Sequence, residues 1–173
     1  GQHIERMSQI SKLLARHLGW SESACELLLH ASPMHDIGKI GISDNILLKP
    51  GRFEPNEWEI MKTHTLIGAS ILDGASSELL NLAREIAMHH HEKWDGNGYP
   101  DGLAGDKIPQ SARIVAVADV FDALLSSRPY KKPWTVKDAI ALIRDNSGTH
   151  FDPEVVTAFD ACLEQILAVV LNK

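Results

Sequence analysis

Apolar residues recur at three- and four-residue intervals along most of this chain, and no pair of segments shows the alternation of a sheet. Met7, Ile10, Leu14 and Leu18 form the first stripe, which a period of about 3.6 residues places on one helical face. Gly19 follows, where a residue free to turn left-handed suits a helix stop. Ser21 is positioned to cap a second helix through Leu27, Leu28 and Ala31 to His35. The segment from Pro55 to Thr63 carries Trp58 and Met61 at helical spacing, and Leu79, Ala83, Ile86 and His90 make the next stripe. Ile114, Val117, Ala118, Phe121 and Leu125 mark a fifth helix. Thr135 with Asp138 has capping-box form ahead of Ala139, Ile140 and Ile143. Asp152 before Pro153 opens the last predicted helix, with Val155, Phe159, Cys162, Leu163, Ile166 and Val170 on its face. The glycine- and proline-rich stretches 41–55 and 95–109 are loops within the domain. The pattern predicts an all-α bundle of about seven helices.

Composition narrows the class. A chain of 173 residues with 44% apolar and 23% charged content is expected to be a single soluble domain over residues 1–173. No apolar run approaches the roughly 20 residues of a membrane-spanning helix. With no secretory signal and no initiator methionine, the expectation is a cytoplasmic C-terminal piece of a longer protein. Cys25 and Cys162 are too few for a disulfide framework and read as buried thiols. The net charge of −6 argues against general nucleic-acid binding. An anionic substrate then needs a local positive centre, which a bound metal supplies.

The candidates for holding it are histidines and aspartates. His35-Asp36 stands where the second helical pattern breaks into Ile37-Gly38-Lys39-Ile40-Gly41. A lone His-Asp pair is more often a capping or hydrogen-bonded pair than a ligand set. Other histidines change the balance: His3 shares the stripe of Met7 and Ile10, His64 follows Met61 by three residues, and His90 follows Ile86 by four. Several inward histidines are better explained by a shared metal than by separate satisfied core positions. Asp119, within the apolar run Ala116–Phe121, would be costly to bury without a cation, and no basic partner stands nearby in the sequence. A His/Asp set without cysteine suits Fe, Mn, Zn, Co or Ni equally.

Three long motifs then carry a family resemblance: HDIGKIGISDNILLKPG (35–51), HHEKWDGNGYPDGLAGDKIP (90–109) and ARIVAVADVFDALLSSRPYK (112–131), with FDP at 151–153. In this order they resemble the HD-GYP family, a branch of the HD metal-dependent phosphohydrolases. Those proteins are bacterial phosphodiesterases that hydrolyse cyclic di-GMP to linear pGpG and often onward to GMP, on an all-α HD-domain bundle with a GYP loop. The resemblance implies metal ligands at His35, Asp36, His64, His90, His91 and Asp119, with His3 matching the histidine of the family's first helix. His89 becomes the bystander of the triple histidine. Asp36 would bridge two divalent ions, an anionic carboxylate being able to do so where a neutral imidazole cannot. Lys39 would contact the scissile phosphate, while Arg128 and Lys131 would hold the substrate's phosphates or guanine. A third metal is left open, because the glutamate that many members carry four residues before the first histidine would precede Gly1.

Two metal ions would neutralise the phosphodiester and generate the attacking hydroxide. Loop 94–100 has two readings. In one, Gly96 and Gly98 supply positive-φ turns and Pro100 stiffens the exit. In the other, Trp94 and Tyr99 line the substrate groove or present a surface to a partner, which the family suggests is a diguanylate cyclase domain. A regulatory domain ahead of this one is also expected from the family. The alternatives are a phosphodiesterase for 3′,3′-cyclic GMP-AMP, a non-catalytic dinucleotide sensor or docking module, and another HD phosphohydrolase acting on nucleotides.

Overall fold

The computed structural model describes residues 1–172. Ten α-helices lie among them: α1 Gln2–His17, α2 Glu22–Ala31, α3 Asp44–Leu47, α4 Pro55–Lys62, α5 His64–Ile71, α6 Glu78–His89, α7 Gln110–Leu125, α8 Val136–Asp145, α9 Pro153–Ala161 and α10 Leu163–Leu171. Short 3₁₀ turns and isolated β-bridges accompany them, with no strand among the described residues, so the architecture is all-α. None of these helices is long and apolar enough to cross a membrane.

The stripe that predicted α1 is its buried face: Met7, Ile10 and Leu14 are wholly inaccessible. Gly19 stops the chain at φ +90°, and the Ser21 hydroxyl accepts from the Ala24 amide at 3.2 Å to cap α2. α1 packs against α2, α7, α9 and α10, and Phe121 on α7 meets Phe159 on α9 edge to face at 5.0 Å. Cys25 and Cys162 are both buried free thiols.

Three predicted elements break differently. α2 stops at Ala31 rather than His35, because Pro33 lacks the N–H that would continue the helix. The chain tightens there into 3₁₀ turns at Ser32–Met34 and Ile37–Gly41, which leave His35 and Asp36 between them. Beyond Thr63 a separate helix, α5, begins at His64, which was expected in the helix before. Its sequence HTLIGASI has no polar stripe, so no amphipathic period announced it. The last predicted helix is two, divided at Cys162 (φ −108°, ψ 21°), whose thiol donates to the Ala158 carbonyl at 3.0 Å. Such local back-bonding bends helices without a proline or glycine to mark the place.

Candidate metal centre

Four segments converge on Asp36. His35 and Asp36 lie between the two 3₁₀ turns, His64 opens α5, His90 and His91 end α6, and Asp119 projects from α7. The turn at 37–41 can lie directly on α5 because Gly38 has no side chain. A Cβ there would stand 1.8 Å from the His64 carbonyl oxygen and 2.5 Å from the Gly68 amide nitrogen.

That approach puts Asp36 at the centre of the cluster. Its Oδ1 lies 3.3 Å from His64 Nε2 and 3.4 Å from His90 Nε2, while its Oδ2 lies 3.3 Å from His35 Nε2. His35 Nε2 is in turn 3.5 Å from Asp119 Oδ1. Asp36, His64, His90 and His91 each offer a ligand atom within 4.8 Å of the others. The two oxygens of Asp36 therefore face two different groups of donors, a disposition suited to a shared ligand.

The backbone dictates which nitrogen faces inward. His35 Nδ1 lies 2.8 Å from the Ser32 carbonyl, His64 Nδ1 lies 2.7 Å from that of Met61, and His90 Nδ1 lies 3.0 Å from that of Ile86. A carbonyl only accepts, so each Nδ1 carries the proton and each Nε2 presents a lone pair. Those three Nε2 atoms and Asp36 Oδ1 are buried without any hydrogen-bond partner. Converging buried lone pairs are costly unless a cation joins them. The donor set thus fits a divalent metal.

Local electrostatics mark the same point as a cation position: against the cost of burial, Asp119 and Asp36 raise His35 to about 10, so without a metal a proton takes the place on its Nε2. Burial opposes charge on Asp36, but the facing imidazoles of His35, His64 and His90 outweigh it and hold the carboxyl far below the ordinary range. Burial likewise opposes the charge on Asp119, yet His35 holds that group down at about 2. His91 is pushed down to about 2 by burial and by the neighbouring His90 and His64, which keeps it neutral and able to ligate.

The other expected residues surround this cluster. His3 sits at the rim, with Nε2 3.8 Å from Asp119 Oδ1 and Nδ1 hydrogen-bonded to Asp122. Lys39 Nζ bonds Asp36 Oδ2 at 2.8 Å. Arg128 and Lys131 line a cavity of about 200 Å³ with Lys132, and Asp119 forms part of its wall. His89 is turned toward Glu92, its Nδ1 4.0 Å from Oε1.

Sequence reasoning passed over two buried carboxylates, Asp122 and Glu92. Asp122, three residues beyond Asp119, is fully buried and accepts from Arg6 Nε at 2.8 Å as well as pairing with His3. Its signal was present, an acidic residue in the same apolar run with Arg6 one helical turn beyond His3. Glu92 is also buried and ties down the loop by accepting from the amides of Asp101 (2.8 Å) and Leu103 (3.0 Å). Asp152 caps α9 through the Glu154 amide at 2.9 Å and pairs with Arg113 at 2.5 Å, which gives FDP its structural meaning.

The GYP loop corrects one expectation. Gly96 has the anticipated positive φ, +86°, but Gly98 does not. Gly98 is required by proximity, since a Cβ would lie 2.4 Å from Lys93 N and 2.5 Å from the His91 carbonyl oxygen. The loop is thereby pressed onto the end of α6. Tyr99 stacks on His91 with centroids 4.8 Å apart and planes at 17°, and Trp94 is held by Arg113 at 5.8 Å and by the hydrogen bond its backbone amide donates to the His150 carbonyl.

Comparison with known proteins places this arrangement. The HD domain family matches residues 1–155. The chain is 49% identical over 166 residues to the cyclic di-GMP phosphodiesterase response regulator RpfG of Xanthomonas campestris, covering 94% of this chain and 44% of that protein. It is 52% identical over 158 residues to a cyclic di-GMP phosphodiesterase of Thermotoga maritima, covering 91% of this chain and 43% of the relative. A 3′3′-cGAMP-specific phosphodiesterase of Vibrio cholerae is 43% identical, over 98% of this chain and 32% of its own length. The chain thus spans less than half the length of these relatives. Among solved structures, an HD-GYP-type protein of Bdellovibrio bacteriovorus superposes with a TM-score of 0.71 at 23% identity, over 94% of this chain and 51% of the other, and so shares the fold. With its His/Asp cluster, its glycine-tightened loop and these matches, the chain belongs to the HD domain family and, within it, to the HD-GYP branch.

Proposed function

We propose that this domain is a metal-dependent phosphodiesterase that hydrolyses a cyclic dinucleotide, with cyclic di-GMP as the first substrate to test. The observation that carries the reading is the ring of buried, unpartnered lone pairs around Asp36, beside a basic cavity. Two divalent ions are the assignment, drawn from Fe, Mn, Co, Ni and Zn. His64, His90 and His91 would hold one, His35, Asp119 and the rim residue His3 the other, and Asp36 would be shared. When bound, such ions neutralise the phosphodiester and acidify water.

The remaining work falls to the chain. Lys39 would leave Asp36 once the carboxylate is ligated and meet an equatorial phosphate oxygen. Arg128 would grip a phosphate bidentately, with Lys131 adding charge beside it. Trp94 and Tyr99 are half-buried, Trp94 against Arg113 and Tyr99 stacked on His91, which favours loop 94–100 as a wall of the site over its use as a docking surface for a diguanylate cyclase domain. The name of the V. cholerae relative supports 3′,3′-cyclic GMP-AMP as the second substrate. An intact donor set disfavours a sensor without turnover.

The test is a turnover panel of cyclic di-GMP, cyclic GMP-AMP and pGpG on protein of measured metal content. Chelation should abolish turnover and lower the melting temperature, and readdition of metal should restore both. A fully loaded protein that cleaves none of the three would refute the assignment.

A further inference from the structure

A run of aromatic rings leads from the metal cluster to the surface. Tyr99 stacks on His91 and also stands 6.5 Å from His64. Trp58, on α4, meets Tyr99 nearly edge-on at 5.8 Å and 85°. Phe53 lies almost parallel to Trp58, at 6.3 Å and 17°. Phe53 and Trp58 flank the start of α4 while Tyr99 comes from the loop after α6, and none of the three belongs to the hydrophobic core or to the apolar residues packed on it. Trp58 remains 42% exposed. Its indole is therefore partly open to water, outside the core, in a chain of rings that ends on the candidate ligand His91.

The placement gives the site two unlike sides. The Asp119 end of the cluster opens on Arg128, Lys131 and Lys132. The His91 end opens on Tyr99 and then Trp58. A nucleotide has the same two-part character, an anionic phosphate and a flat aromatic base, and bases bind aromatic side chains by stacking. We infer that Trp58, backed by Phe53 and Tyr99, is a stacking platform for a purine base of the substrate whose phosphate lies at the metal cluster. This rests on the cyclic-dinucleotide reading and extends it to a base-binding residue. Lys62, with Nζ 5.9 Å from the Tyr99 centroid, borders the platform.

The test compares wild type with Trp58→Leu and Trp58→Phe, all metal-loaded, by calorimetric titration with GMP, CMP and inorganic phosphate, alongside turnover of cyclic di-GMP. Leucine keeps apolar bulk and removes the aromatic face; phenylalanine keeps a face. Trp58→Leu should weaken GMP binding on the order of tenfold, leave phosphate affinity and metal content unchanged, and raise KM more than it lowers kcat. Trp58→Phe should restore most of the GMP affinity, and CMP should bind wild type more weakly than GMP.

GMP binding equal to that of phosphate in wild type, or GMP and phosphate weakened equally by Trp58→Leu, would overturn the platform. So would full GMP affinity in Trp58→Leu, or a failure of Trp58→Phe to restore binding in a folded, metal-loaded protein. Trp58-dependent GMP binding without hydrolysis of any cyclic dinucleotide would uphold the platform and refute the hydrolase reading alone.

Discussion

Gly38→Ala should cost the candidate metal centre at least one ion while leaving the helices in place. The new methyl carbon would start 1.8 Å from the His64 carbonyl oxygen and 2.5 Å from the Gly68 nitrogen, both backbone atoms of α5. To reach even 3.0 Å from the oxygen, the 37–41 turn and α5 must separate by roughly 1.2 Å, a strain of the overpacking kind that costs about 1–3 kcal/mol. Asp36 Oδ1 and His64 Nε2 are now 3.3 Å apart, a separation that two metal bonds of about 2.0–2.2 Å span at an ordinary angle. Widened by the same amount, the pair would stand roughly 4.5 Å apart, beyond even a linear arrangement of such bonds. Gly41→Ala supplies the control. It sits in the same turn but meets only the Ile67 side chain, at 2.9 Å, which can rotate away. The assays are metal content by mass spectrometry, far-ultraviolet circular dichroism and turnover. Gly38→Ala should keep its helical spectrum, bind at least one ion fewer and lose on the order of 100-fold in turnover, with Gly41→Ala close to wild type. Full metal content and full turnover in Gly38→Ala would refute the reasoning.

Asp122→Asn should destabilise the fold by about 2–4 kcal/mol, because it leaves the largely buried Arg6 guanidinium without its carboxylate; chemical denaturation of the metal-free protein measures this, and a loss under 1 kcal/mol would contradict it. Glu92→Gln should remove charge-assisted bonds from the Asp101 and Leu103 amides, so hydrogen exchange at those two amides should accelerate by about tenfold or more while core amides of α1 stay protected. His150 is pushed down to about 4 by burial and by Lys93. Its folded value lies below the unfolded one of about 6.5, so its contribution is present above that pH and is lost as pH falls toward 4. Urea midpoints across that window should therefore decline less in His150→Phe, which retains a ring against Phe151, than in wild type; identical slopes would exclude this contribution.

Much of the architecture was legible because helical periodicity is a local property. Met7, Ile10 and Leu14 declared the buried face of α1, Gly19 its end, and Ser21, Thr135 and Asp152 the starts of α2, α8 and α9. The breaks were less visible. Pro33 was a signal for the end of α2, while Cys162 carries none, and α5 is too uniformly apolar to show a face. The site divides the same way. The inward positions of His64 and His90 followed from their stripes, and the long motifs supplied His91 and the pairing of His35 with Asp36.

By itself, then, the sequence determined the all-α class, several helix starts and which residues have metal chemistry to offer, since each depends on neighbours within a turn or two. Only the tertiary structure decided that Asp36 meets His64 and His90, that backbone carbonyls turn three Nε2 atoms toward it, and that Gly98 serves close approach rather than a left-handed turn. The same holds for Asp122, whose partners Arg6 and His3 lie 116 and 119 residues away along the chain, and for the rings that join Phe53 to His91. Contacts of that kind depend on which faces pack together, a property no local period encodes.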